Sequence, residues 1–247
     1  MRGDLSSRGE GTQSTLSDAE FLIYLVLLTL IILAIPSIYL RAATSLLLLL
    51  ILLQVKGVSY NLGNPRESFL SVLLAFSMTL PFLLFARVKY SGVSQLEIAQ
   101  MVPWHISIAI LEECLYRGPI LSYSLPKFIL SSSLFSLTHS QNPGFSILPS
   151  IGIFSAGIFL CSLRVKWGLL PSVLFHLSWN LCLEHLWGFP VSGLTGSSVF
   201  SLEPIGPSFL TGGEFGPEGS ILAVAEFTLS SVLLNRRRAA DLLQKAL

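Results

Sequence analysis

Apolar residues run through this chain in blocks the length of membrane-crossing helices, separated by short polar joints. The blocks predict eight helices: 21–40, 43–57, 68–86, 101–124, 126–140, 145–163, 168–187 and 219–235. Crossing a bilayer takes roughly 20 apolar residues, and the second and fifth blocks lie near the lower limit. The pattern predicts an all-α fold, a polytopic bundle of transmembrane helices with both termini cytoplasmic. Residues 1–20 are polar, rich in Ser and Gly, and read as a tail. Residues 21–235 form a single membrane-embedded domain, and 236–247 a basic cytoplasmic tail. The first block is too long for the apolar core of a secretory signal, and no cleavable targeting signal is expected.

Composition strengthens this picture. Charged residues make up 12% of the chain, against roughly 25% in a soluble domain. Mean hydropathy is +0.71. So few charges cannot cover a water-facing surface, so lipid is the expected solvent, with the protein a multi-pass component of a membrane. A net charge of +1 gives no reason for a nucleic-acid partner. Cys114, Cys161 and Cys182 fall in apolar runs without ligand spacing and are expected to be packed as small hydrophobes.

Charge placement orients the bundle. With the N-terminus inside, Arg2, Arg8, Lys56, Arg66, Arg117, Lys127, Arg164, Lys166, Arg236, Arg237, Arg238 and Lys245 fall on the inner side. Arg41, Arg87 and Lys89 fall outside, so the ratio is 12 to 3, or 11 to 3 without the intramembrane Arg117. That is the asymmetry of the positive-inside rule. The outer segment 188–218 has no Lys or Arg but many Gly and Pro. Long connections of this kind tend to be functional or disordered, and its Phe and Leu residues suggest that it folds back on the membrane surface.

Ionisable groups inside spans are expensive, so each needs a partner or a wet cavity. The fourth span carries Glu112, Glu113 and Arg117, the fifth His139, and the seventh His176 and Glu184. Glu113 and Arg117 are four apart with the glutamate first, the favourable order for an ion pair. Glu112 points about 100° away. His176 and Asn180 also share a helix face, and Phe135 lies one turn before His139. Counting from a turn at Leu125-Pro126, Glu112 and His139 both lie roughly 20 Å from the inner face. Arg117, His176 and Asn180 fall at roughly 12–18 Å by the same rise per residue. The polar groups therefore converge on one layer. Pro119 is expected to kink the fourth span beside it.

A buried carboxylate without an ion-pair partner can act as a general base, and a nearby histidine can share its water and pass a proton to a leaving amine. A second histidine and an amide can donate to an oxyanion. The set also suits a metal held by Glu112, His139 and His176. His105, Glu184 and His185 are expected to be interfacial, although Glu184 shares a face with His176 and Asn180.

Three motifs carry a resemblance. Glu112-Glu113-Cys114-Leu115-Tyr116-Arg117 matches EExxxR, Phe135 to His139 matches FxxxH, and His176 to Asn180 matches HxxxN. In order and spacing they resemble the CAAX protease and bacteriocin-processing enzymes, the ABI family of intramembrane proteases, over roughly 101–187. The 188–218 stretch resembles a glycine-rich loop found in some prokaryotic members, which implies a prokaryotic cell membrane as the location. The resemblance implies a CAAX-type intramembrane peptidase. Glu112, with His139 beside it, would activate water. Glu113 and Arg117 would be the orienting pair, His176 and Asn180 the oxyanion site, and Phe135 packing. It implies a glutamate-dependent enzyme without cofactor, with a zinc-dependent version as runner-up. A peptide or membrane-protein substrate and the lipid bilayer are the implied partners. HExxH, GxSxG and presenilin-like Gly-Asp signatures are absent from the sequence. The other readings are a non-catalytic scaffold and a proton-coupled membrane protein. The latter would need internal symmetry or paired broken helices, and neither is visible.

Overall fold

The computed structural model describes Ile23, Leu27, residues 61–118, Ile120 and 123–246, with side chains to residue 236. Ile23 and Leu27 are helical; the expected spans 21–40 and 43–57 otherwise lie outside the described residues, as does Pro119.

Asn64 caps the first long helix, α1 (Pro65–Thr79): its side chain accepts from the Glu67 amide at 2.9 Å. Pro65, in the first turn, gives up no amide the helix would use. A 3-10 stretch, Leu80–Phe85, extends it. The chain then enters a short strand, β1 (Ala86–Tyr90). Helix α2 (Gln95–Tyr116) starts on a reciprocal cap in which Ser94 accepts from the Glu97 amide and donates to its carboxylate. After it come α3 (Leu125–Thr138), α4 (Ile147–Trp167) and α5 (Leu169–Asn180). A π-helical segment, Leu181–Trp187, continues α5 and ends on left-handed Gly188. Then come β2 (Phe200–Pro204), one turn of helix α6 (Ser208–Thr211) and α7 (Ile221–Ala246).

One expectation needs correction. The fourth span was expected to run 101–124, but α2 ends at Tyr116 with Arg117 as its cap. The amides of both Arg117 and Gly118 donate to the Glu113 carbonyl. The helix therefore closes at Arg117-Gly118. Glu112 therefore lies about one turn from the helix end, and the depth count that ran unbroken to Leu125 does not hold. Segment 188–218 also carries regular structure. It supplies β2, which pairs antiparallel with β1 from Ala86↔Pro204 to Tyr90↔Phe200.

Aromatic side chains build the main core. Phe159 and Phe175 meet edge to face at 4.7 Å, and Trp179 lies 5.0 Å from Phe227. This cluster locks α4, α5 and α7 together. Gly168 alone joins α4 to α5, at φ +110°, a conformation that suits glycine. Cys114, Cys161 and Cys182 are all unpaired.

Among the described residues, Pro65–Phe85 and Ile147–Trp167 are long and apolar enough to cross a membrane by length and composition. Phe69, Leu73 and Leu84 on the first helix and its extension, and Leu229, Val232 and Leu233 on α7, face outward. A run of exposed large apolar side chains suits lipid better than water.

Candidate active site

The last turn of α2 and the middle of α5 meet through one carboxylate. Glu113 is fully buried. Its Oε1 accepts from Arg117 Nη1 at 3.1 Å and faces His176 Nδ1 at 3.0 Å, while Oε2 accepts from the Ser172 hydroxyl. A carboxylate has no proton to give here, so His176 Nδ1 is the donor. That commits the ring's other nitrogen, Nε2, to the opposite side, where Glu112 Oε2 lies 3.6 Å away. His176 thus stands between the two glutamates, and Glu113 orients this ring, an interhelical contact the spacing alone did not indicate.

Arg117 is also fully buried. Beyond Glu113 its guanidinium lies over the Phe135 ring, 4.1 Å from the centroid, a cation–π contact. Phe135 also meets His139 at 5.0 Å and His176 at 6.1 Å, both edge-on. It therefore packs as a plate between the arginine and the two imidazoles.

His139 caps α3. Its Nδ1 lies 2.8 Å from the Phe135 carbonyl, which can only accept, so Nδ1 carries the proton and Nε2 keeps a lone pair. The FxxxH spacing has a direct cause here: residue i provides both the carbonyl and the ring that fix the histidine at i+4.

A cavity of about 450 Å³ is lined by Glu112, His139, His176 and Asn180, together with Glu184 and Glu218. Glu112 keeps 17% of its side chain exposed, whereas Glu113 behind it has none. The two adjacent glutamates therefore sit in different surroundings, one opening on the cavity and one sealed in a network.

Three buried features went unread in the sequence. Arg164 was counted among inner-face charges, but it is 1% exposed. It donates to the carbonyls of Arg117, Gly118 and Asn61 at 3.3–3.5 Å, closing the end of α2. Glu218 is buried too. It accepts from Trp179 Nε1 at 3.0 Å and from the Ser192 amide and hydroxyl at 2.7 and 2.6 Å, fastening segment 188–218 to α5. A glutamate after Gly216-Pro217 gives little sequence signal, but a tryptophan inside the HxxxN motif, with an N–H needing a partner, hinted at one. Glu218→Gln places an amide among three donors, where an unsatisfied donor costs about 1–3 kcal/mol. The Ser192 amide should then exchange hydrogen faster than amides of α4, and an unchanged rate would discount the fastening.

The third feature is the trio His105, Glu184 and His185, which are 5%, 5% and 3% exposed and lie together. Among the described residues, the three metal-ligand side chains brought within 4.8 Å of one another are these.

A carboxylate and two imidazoles, Glu112, His139 and His176, thus face one cavity inside an apolar helical protein. Residues 94–182, from the cap of α2 into the π segment, match the family model described as type II CAAX prenyl endopeptidase Rce1-like. Over that segment the chain is similar to this family, and its EExxxR, FxxxH and HxxxN motifs resemble the same CAAX protease family, whose members are integral membrane peptidases. No curated protein and no solved structure matches the chain.

Proposed function

We propose that the protein is a glutamate-dependent intramembrane endopeptidase that hydrolyses a peptide bond in the cavity beside Glu112. The observation that carries this reading is the difference between the two glutamates, one opening on the cavity and one sealed. Glu112 and the free Nε2 of His139 together hold a water. Glu112 takes a proton as the water oxygen attacks the carbonyl carbon. The resulting oxyanion is met by Asn180 Nδ2–H and by Nε2–H of His176 when that ring carries both protons. The C–N bond breaks as the proton passes, through His139, to the leaving amine. Glu113, Arg117 and Ser172 hold His176 in place, as a carboxylate commonly holds a working histidine.

The eight-span topology with both termini cytoplasmic belongs to the same proposal, supported by the outward apolar faces of α1 and α7 and by charge asymmetry. The substrate class is a peptide or a membrane protein.

Comparison of protein termini between cells carrying the wild-type chain and cells carrying Glu112→Ala tests the reading. A set of cleaved termini should be lost in the variant while the chain accumulates normally. Identical termini in both would refute proteolysis.

A further inference from the structure

Helix α2 and the π segment bring a second set of buried polar groups together, separate from the Glu113–Arg117–His176 network. His105 Nε2 lies 2.9 Å from Glu184 Oε2, and the His105 and His185 rings meet edge-on at 4.8 Å. Two features distinguish this cluster from an ordinary buried ion pair.

First, the polar atoms are not satisfied by one another. His105 Nε2 is close to the Glu184 carboxylate but without hydrogen-bond geometry, and His185 Nε2 has no hydrogen-bond partner; both atoms are sealed from solvent. Buried polar groups are nearly always partnered, so two such imidazole nitrogens in one cluster with a carboxylate mark a place where something else is held. Second, the surroundings prepare His185 as a ligand. Its Nδ1 lies 2.7 Å from the Ser197 carbonyl. That carbonyl only accepts, so Nδ1 carries the proton and Nε2 presents its lone pair. A backbone carbonyl on the far nitrogen is the usual outer support of a metal-bound histidine. The backbone of segment 188–218 also comes close at Gly196, where a Cβ would meet Glu184 Oε1 at 2.6 Å and His185 Cε1 at 3.2 Å.

We propose that His105, Glu184 and His185 bind one divalent transition-metal ion, with zinc best matched to two imidazoles and a carboxylate. His105 and Glu184 line the cavity, so the set is that of a three-ligand site with a position left for water. The ion would fasten segment 188–218 to α2 and α5, since Ser197 holds His185 and the Val199 amide donates to the His185 carbonyl. The site involves none of Glu112, His139 and His176, so it stands apart from the peptidase reading.

The test uses the full chain purified in detergent, stripped with EDTA and titrated with ZnCl2 or CoCl2. Wild type should take up about one ion per chain, and its cobalt form should show the strong visible bands of low-coordinate Co2+ with nitrogen ligands. His185→Ala and Glu184→Gln should weaken zinc binding by more than about 100-fold, beyond the 10–100-fold typical of outer-sphere changes. Glu112→Gln should bind as wild type does, and zinc should raise the melting temperature of both. Folded wild type that takes up no ion overturns the proposal. So does binding that survives His185→Ala and Glu184→Gln but disappears in Glu112→Gln, which would move the ion to the peptidase site. If His185→Ala does not fold, Glu184→Gln, which preserves the shape, decides.

Discussion

Glu112→Gln is expected to reduce peptide-bond hydrolysis by roughly 10²- to 10⁴-fold, the usual contribution of a positioned general base, while the purified chain keeps its fold. The substitution keeps the side chain's volume and removes its ability to accept a proton. The structural cost should be small, because Glu112 is partly exposed to the cavity and its contact with His176, at 3.6 Å, is an ion-pair distance and not a hydrogen bond. Melting temperature should therefore hardly move while turnover is lost. His139→Ala should reduce turnover similarly, and the double variant should be little worse than either, since both act on one water. Metal content separates the two peptidase readings: an ion held by Glu112, His139 and His176 should be lost in Glu112→Gln, whereas glutamate chemistry leaves that variant with the same metal content as wild type. A chain in which Glu112→Gln lowers stability and leaves every cleavage product in place would instead be a scaffold.

Local contacts of this site could be read from the sequence, and those between distant elements could not. Glu113 and Arg117 meet because helix geometry stacks residues four apart, and the same rule puts His176 and Asn180 on one wall. Phe135 and His139 follow it as well. The bond from Glu113 to His176 joins residues 63 apart, and nothing in periodicity specifies which glutamate takes the ring. Glu113 takes it because Arg117 and Ser172 have already ordered its carboxylate, leaving Glu112 for the cavity. Glu218 escaped for a related reason, since its partners lie in α5 and at Ser192. The cluster of His105, Glu184 and His185 was hidden by geometry. The π segment from Leu181 changes the angular step between residues, so a face projected from His176 by regular α-helical spacing misplaces His185. The short strand pair was hidden too, because five residues ending in a proline resemble a loop.

Glu113→Gln is expected to have the largest effect on stability, and it provides a way to separate scaffolding from chemistry. The change preserves shape but removes the charge that Arg117 Nη1 and His176 Nδ1 both address. Arg117 has no solvent exposure, so its guanidinium is left with the Phe135 ring and no counter-charge. Removing one member of a buried pair costs about 3–5 kcal/mol, because the orphaned charge stays buried. Unfolding in mixed micelles should show that loss. Replacing Arg117 as well, as Glu113→Gln/Arg117→Met, removes the orphan and should recover much of the stability, since apolar replacements of buried pairs are often close to neutral. Activity should not return with it. His176 would still lack the carboxylate that fixes its ring, and the oxyanion donor would be free to turn away. Recovery of stability without turnover would assign Glu113 to holding His176. Recovery of both would show that the pair is packing alone and that His176 needs no such partner.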